Sequence, residues 1–158
     1  MTKKILIAFI ISKSLIYADN IKETAKYYLE CTFEQKNWDY KIKMCKKSIE
    51  PIEKKWFKSE QEKQTLYNGY WNMGLAYHMK QNYSKAIEFY EKTIKNDCCK
   101  YTFQISALNN LGVIYKSDNK YTNKIKAYQY YKRAAKYGNK NAQNNLDYLC
   151  KHSPWACK

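Results

Sequence analysis

The fold can be predicted from residues 70–93, which read YWNMGLAYHMKQNYSKAIEFYEKT. Large and small side chains recur there at the spacing of two helical stretches joined by a short turn, Gln81-Asn82. The recurring residues are Tyr70, Met73, Gly74, Tyr77, Ala86, Tyr90 and Thr93. Small residues let two antiparallel helices approach closely, and tyrosines fill the space beside them. The stretch therefore predicts a helical hairpin.

A second copy of this pattern follows directly. Its members are Leu108, Leu111, Gly112, Tyr115, Ala127, Tyr131 and Ala134. The turn between its two halves, residues 117–121, is a few residues longer than Gln81-Asn82. Gly138 is predicted to end the second helix, because glycine is the usual residue just past a helix end. A further helix is predicted from Ala142 to about Lys151.

A fainter copy lies upstream. A shift of 45 residues places Cys45 on Tyr90 and Ile49 on Ile94 without a gap. Its first helix, about Ile21 to Phe33, lacks the glycine. Residues 51–64 look inserted, as an extra helix or an extended linker after a break at Pro51. Three stacked units are about the minimum for a stable helical repeat array.

The spacing of the two good copies resembles the tetratricopeptide repeat. The longer turn, the Asn109-Asn110-Leu111-Gly112 entry and the alanine- and tyrosine-rich run 127–135 are similar to its Sel1-like subclass. The resemblance covers residues 66–150 well and 21–50 weakly, and it implies an all-α solenoid of antiparallel helix pairs. The expected layout is a degenerate repeat 21–50, a linker 51–64, repeats 66–98 and 102–138, a capping helix 141–151 and a tail 152–158. The alternative is an unrelated helical bundle.

The N-terminus has the order of a secretory signal. Lys3 and Lys4 precede an apolar run, Ile5–Ile11, and a small residue, Ala18, stands where cleavage is expected. Seven apolar residues fall far short of the roughly 20 that span a membrane. We therefore predict a signal peptide at 1–18 and a periplasmic or secreted mature chain with no transmembrane anchor. The alternative is that residues 1–18 form the first helix of the fold.

The chain has six cysteines, and all of them follow the predicted signal. They are Cys31, Cys45, Cys98, Cys99, Cys150 and Cys157. An even number in an exported chain favours disulfides, although six cysteines allow 15 pairings. Cys31 and Cys45 face each other across a predicted hairpin, and Cys150 and Cys157 could close the tail. Cys98 and Cys99 then either pair with each other or show that one of those two pairs is wrong.

Metal and cofactor chemistry finds little support in the sequence. Only His78 and His152 are histidines, and no Cys-x-x-Cys occurs, so a zinc site is not predicted. We predict no cofactor and no catalytic residue.

The chain also resembles an exported, cysteine-rich Sel1-like bacterial group that is β-lactamase-like. That resemblance implies an alternative function, binding or weakly hydrolysing β-lactams or peptidoglycan fragments. The group has a disulfide inside each repeat, whereas Ala135 and Ala142 stand where two of its cysteines are expected. The tetrapeptide at residues 117–120, SDNK, matches both Ser-x-x-Lys and Ser-Asp-Asn, but serine hydrolases need these motifs on separate elements. We interpret the match as a coincidence.

The charge is strongly positive, with 29 Lys and Arg against 14 Asp and Glu. Removing residues 1–18 lowers the net charge from +15 to +12. Arg133 is the only arginine, and the bidentate recognition of phosphates and bases favours arginine. The lysines look scattered over solvated helix faces. We therefore predict a protein or peptide partner, with the charge favouring an acidic one, and no nucleic acid.

The predicted binding surface is the concave face formed by the first helix of each pair. Asn72, Asn110 and Asn145 hold equivalent positions in three successive helices. A carboxamide donates and accepts together, so a row of them can hold an extended peptide backbone, and tetratricopeptide domains commonly use this position so. The other predicted contacts on that face are Trp71, His78, Asn109 and Lys116. The alternative is that these asparagines bond to neighbouring helices.

The stretch 54–58, KKWFK, is both basic and aromatic. Such a stretch could bind lipid or nucleic acid. We predict instead an amphipathic connector in which Trp56 and Phe57 cover the core. The lysines are compatible with this, because their apolar stems can lie along the same surface while their charged ends stay in water.

Overall fold

The computed structural model of the protein describes residues 19–95, 99–117 and 120–158, and every regular element within them is helical. The elements are α1 (19–33), α2 (Trp38–Glu53), α3 (Glu60–Met79), α4 (Tyr83–Ile94), α5 (Thr102–Lys116), α6 (Lys124–Lys136), α7 (Lys140–His152) and a 3-10 helix (Pro154–Cys157). The predicted all-α class is confirmed. The predicted signal peptide lies outside the described residues. No helix in the described ranges is long and apolar enough to cross a bilayer.

Helices that follow each other along the chain also pack against each other. This holds for each step from α2 to α7. In addition α3 contacts α5, and α5 contacts α7. The described chain thus has a repeat-like helical fold, in which the odd-numbered helices α3, α5 and α7 form a continuous row.

The same close contact joins the helices of the two good pairs. A Cβ atom placed on Gly74 of α3 would lie 2.6 Å from the ring of Tyr90 on α4. A Cβ atom on Gly112 of α5 would lie 2.5 Å from the ring of Tyr131 on α6. Both tyrosines are fully buried. These contacts explain why the repeat needs glycine and an aromatic residue at these positions.

A second contact recurs next to the first. Tyr77 stacks on Phe89 with ring centroids 5.5 Å apart and an interplanar angle of 4°. Tyr115 stacks on Tyr130 at 5.7 Å and 7°. The two stacks join α3 to α4 and α5 to α6 in the same way, so the sequence repeat corresponds to a repeat of contacts.

The α1–α2 pair is closed by a disulfide instead of a glycine–tyrosine contact. Cys31 and Cys45 are bonded, with their Cα atoms 4.7 Å apart, and both are fully buried. Because Cys45 aligns with Tyr90 in the repeat, the disulfide stands at the repeat position that a buried tyrosine holds in the two good pairs. This predicted pairing is confirmed.

The C-terminal tail is closed by the second predicted disulfide. Cys150 at the end of α7 is bonded to Cys157, with Cα atoms 5.7 Å apart. Cys99 is disulfide-bonded as well, whereas Cys98 lies outside the described residues. Disulfides form and persist in oxidising compartments, so the bonds indicate an oxidising environment.

The end of α6 confirms the prediction for Gly138. This residue has a φ of +82°, the left-handed conformation that glycine adopts without strain. Its N–H donates to the Ala135 carbonyl, and the Asn139 N–H donates to the Ala134 carbonyl. The side chain of Asn139 then accepts from the Ala142 N–H and starts α7. Gly138 and Asn139, two consecutive residues, thus end α6 and begin α7.

The expected helix break at Pro51 is wrong. Helix α2 continues through Pro51 to Glu53, and α3 begins at Glu60, so no extra helix separates them. Proline removes one helical hydrogen bond. The buried side chains of Ile49 and Ile52, on either side of it, pack in the same core cluster as Leu66 of α3 and offset that loss.

The expectation that Trp56 and Phe57 cover the core is also wrong. Their side chains are 90 % and 85 % exposed, and their rings pack only edge to face on each other in the connector 54–59. The core beneath the connector is already closed by Ile49, Ile52 and Leu66. The connector itself is held by polar contacts, including an ion pair between Lys55 and Glu62.

Lys41 of α2 is a buried cation that holds the end of α1. Its side chain is 2 % exposed, and its Nζ donates to the carbonyls of Cys31 at 2.6 Å, Thr32 at 3.3 Å and Glu34 at 3.0 Å. Burial lowers the pKa of Lys41, and the nearby Glu34 carboxylate partly opposes that shift. The ammonium group thus satisfies carbonyls that a helix end leaves without partners.

We expect Lys41→Met to lower the free energy of unfolding by about 2 kcal/mol, because a hydrogen-bonded charged group is replaced and buried carbonyls lose their donor. Urea denaturation with intact disulfides measures the loss. Lys43→Met is the matched control, since Lys43 lies on the exposed face of the same helix. Equal stability of the two variants would contradict this account of Lys41.

Candidate functional site

The predicted ligand-binding residues lie on the row of odd-numbered helices. Trp71, Asn72 and His78 belong to α3, and Asn145 belongs to α7. Asn109, Asn110 and Lys116 belong to α5. The three helices contact each other in this order, but the side chains do not form one uniform row.

Asn72 lies in the core and not on an open surface. It is 1 % exposed, and its Nδ2 donates to the backbone carbonyl and the Oδ1 of Asn68, at 3.0 and 2.9 Å. The Nδ2 of Asn68 in turn donates to the hydroxyl of Tyr28 on α1, at 2.8 Å. The two asparagines thus join α3 to α1, and the side chain of Asn72 is not accessible to a ligand.

Asn110 has a different partner from its counterpart Asn72. Its Nδ2 donates to the hydroxyl of Tyr90 on α4, at 3.1 Å. Burial raises the pKa of Tyr90, which keeps that hydroxyl protonated. Asn110 is half-buried, so it ties the two good pairs together.

Asn109 and Asn145 are brought together by the fold. The Nδ2 of Asn145 on α7 donates to the Oδ1 of Asn109 on α5 at 3.1 Å, and both side chains are half-buried. The ammonium of Lys116 lies 5.1 Å from the ring centroid of Tyr148 on α7. We call these four residues the α5–α7 seam. Tyr148 was not predicted, although it follows Asn145 by three residues and so shares its helix face.

Trp71 and His78 are packing residues at least in part. Trp71 is half-buried against the core cluster that contains Leu108 and Leu111, and its buried Nε1 has no partner among the described residues. The His78 ring packs edge to face with the rings of Tyr83 and Tyr90 of α4. Burial lowers the pKa of His78, so the ring stays neutral near pH 7.

The serine of the SDNK tetrapeptide is engaged in the helix end. The Oγ of Ser117 donates to the Val113 carbonyl at 2.7 Å. Asp118 and Asn119 lie outside the described residues. Within the described residues no group of three or more His, Cys, Asp or Glu side chains is placed to hold a metal ion.

None of the family models, curated proteins or solved structures compared with the chain matches it. Its function is therefore inferred from its own residues.

Proposed function

We propose that the protein is an exported interaction module of tetratricopeptide- or Sel1-like helix pairs that binds an extended peptide or protein segment. The bound segment lies along the row formed by α3, α5 and α7. The recurring contacts of Gly74 with Tyr90 and Gly112 with Tyr131 support the repeat assignment, because they follow the spacing of that repeat. The contacts of α3 with α5 and of α5 with α7 support a solenoid with these helices on its inner face.

The observation that carries the proposal is the Asn109–Asn145 hydrogen bond in the α5–α7 seam. It uses one N–H of Asn145 and one acceptor position of Asn109. Each carboxamide has further donor and acceptor capacity, which suits the alternating N–H and C=O groups of an extended peptide. Lys116 and Tyr148 add a cation and a 56 % exposed ring beside it.

Export is supported by two features of the chain. Residues 1–18 have the order of a secretory signal. The disulfides Cys31–Cys45 and Cys150–Cys157 suit a chain that leaves the reducing cytosol. Intact mass measurement of the protein from its native host tests this step, since a chain starting at Asp19 is expected.

The binding proposal is tested with peptides selected on the wild-type protein from a random displayed library. We expect Asn109→Ala/Asn145→Ala to weaken the selected peptides by about tenfold or more, because each lost hydrogen bond costs about 1 kcal/mol. Titration of labelled peptides measures the change.

The control is Gln35→Ala/Gln143→Ala, which removes two exposed carboxamides, one in the α1–α2 turn and one on the outer side of α7. This control is expected to bind the peptides as the wild type does. If both double variants fold and retain wild-type affinity, the α5–α7 seam is not the binding surface.

A further inference from the structure

Positive charge is concentrated in the last part of the chain. Residues 116–158 contain ten Lys and Arg against two acidic residues, whereas residues 19–115 contain sixteen against twelve. Helix α6 alone carries five cations and no acid: Lys124, Lys126, Lys132, Arg133 and Lys136. The charge that looked scattered is thus uneven.

The cations of this region are not neutralised within the described structure. All six ion pairs among the described residues lie between residues 39 and 100. Uncompensated like charges repel each other and create a positive potential that attracts anions. The exposed cations of α6 therefore give this helix a positively charged surface.

A groove of about 450 Å³ lies at this helix. Its lining consists of Lys126, Tyr128, Gln129, Tyr130, Lys132 and Arg133. We call it the α6 groove. It shares no residue with the α5–α7 seam, and it contains the only arginine of the chain.

The tyrosines of the α6 groove are held by neighbouring side chains. Tyr130 stacks on Tyr115, and burial together with the nearby Glu91 of α4 raises the pKa of Tyr130 to about 12. The Nζ of Lys132 donates to the hydroxyl of Tyr128 at 3.1 Å. Lys126 lies over the Tyr115 ring, 5.1 Å from its centroid. The groove therefore combines cations with tyrosine side chains.

A second groove, on α2, provides the contrast. It is lined by Lys43, Lys46 and Lys47 together with Asp39 and Glu50, Ile42 and Tyr77. It has as many cations as the α6 groove, but two carboxylates lie among them. Of these two grooves in the described part of the chain, the α6 groove is the one without an acidic residue in its lining.

We propose that the α6 groove binds an acidic segment of a partner protein. Ammonium, guanidinium and amide N–H groups all donate to carboxylates, and the charged donors make the stronger bonds. A nucleic acid fits less well, because the Tyr130 ring is already stacked on Tyr115 and the groove offers one arginine for phosphate. This surface is separate from the proposed concave site, and either proposal can fail alone.

The test uses a short fluorescein-labelled oligoglutamate peptide, with anisotropy measured at low and at physiological salt. We expect Lys126→Gln/Lys132→Gln/Arg133→Gln to weaken binding of the peptide about tenfold. A single exposed charge pair contributes little, but this variant removes all three cations of the groove at once. The matched control is Lys43→Gln/Lys46→Gln/Lys47→Gln, which removes the same total charge from the α2 groove and is expected to bind as the wild type does. Glutamine is a good helix former, so both triple variants are expected to fold, and circular dichroism verifies this.

Three results would overturn the proposal. The first is an equal loss in both triple variants, which would mean that only net charge matters. The second is unchanged binding in the α6 variant. The third is tighter binding of single-stranded DNA or of phosphatidylglycerol vesicles than of the peptide, lost in the α6 variant, which would assign the groove to another class of partner.

Discussion

Cys31→Ala/Cys45→Ala is expected to lower the free energy of unfolding by about 3 kcal/mol, because closing a loop of about 15 residues removes that much chain entropy from the unfolded state. The two cysteines are 14 residues apart and fully buried in a core cluster with side chains from α1 to α4. Denaturation in urea measures the loss. Hydrogen exchange is expected to locate it in α1, which opens first.

The comparison variant is Cys150→Ala/Cys157→Ala. Its loop spans 7 residues and closes only the tail, so we expect a smaller loss, about 2 kcal/mol, and no change in the protection of α1. If the amides of α1 keep wild-type protection without the Cys31–Cys45 bond, the disulfide does not hold this helix in place.

Gly112→Val is expected to cost about 3 kcal/mol, at the upper end for overpacking a core. The new Cβ would meet the Tyr131 ring, and that ring is fully buried, so its displacement would disturb the rest of the core cluster. Valine is slightly better than glycine in a helix, so the loss would come from packing. Thermal and urea unfolding measure it.

A double-mutant cycle identifies the cause. Tyr131→Leu alone is expected to destabilise, but Gly112→Val/Tyr131→Leu is expected to cost less than the sum of the two single changes, since the smaller side chain leaves space for valine. Strict additivity would mean that Gly112 is needed for another reason. Gly74→Val with Tyr90→Leu is expected to behave in the same way.

The contacts that depend on spacing along the chain could be predicted from the sequence. Gly112 and Tyr131 stand at the repeat positions where two helices meet, and the structure brings them together. Cys31 and Cys45 flank a short turn, which limits where the second cysteine can lie. In both cases the interaction is local to one hairpin, so helical periodicity was sufficient.

The partners of polar side chains could not be predicted in this way. Asn72 and Asn110 hold the same repeat position, yet their hydrogen bonds differ because the residue four positions earlier differs. The Nδ2 of Asn72 donates to Asn68. The residue four positions before Asn110 is Ser106, and its hydroxyl donates to the Thr102 carbonyl instead. Nothing in the repeat pattern distinguishes these cases.

The sequence also did not predict where a side chain is buried or exposed contrary to the usual preference of its residue type. A lysine is normally exposed, and only the course of the turn after α1 places three carbonyls around Lys41. Trp56 and Phe57 are the reverse case, because the side chains that close the core below them come from α2 and α3. Both errors arise from contacts between elements, which local composition does not specify.

The order of the disulfides along the chain bears on how the protein matures. Cys31–Cys45 and Cys150–Cys157 each join cysteines that are consecutive in the sequence. A chain that emerges with its N-terminus first presents Cys45 to Cys31 before any later thiol is available. An oxidant acting in order of emergence would therefore form these two bonds directly, without the slow exchange of mispaired sulfurs. Formation of these two bonds is then expected to need a thiol oxidase but no disulfide isomerase.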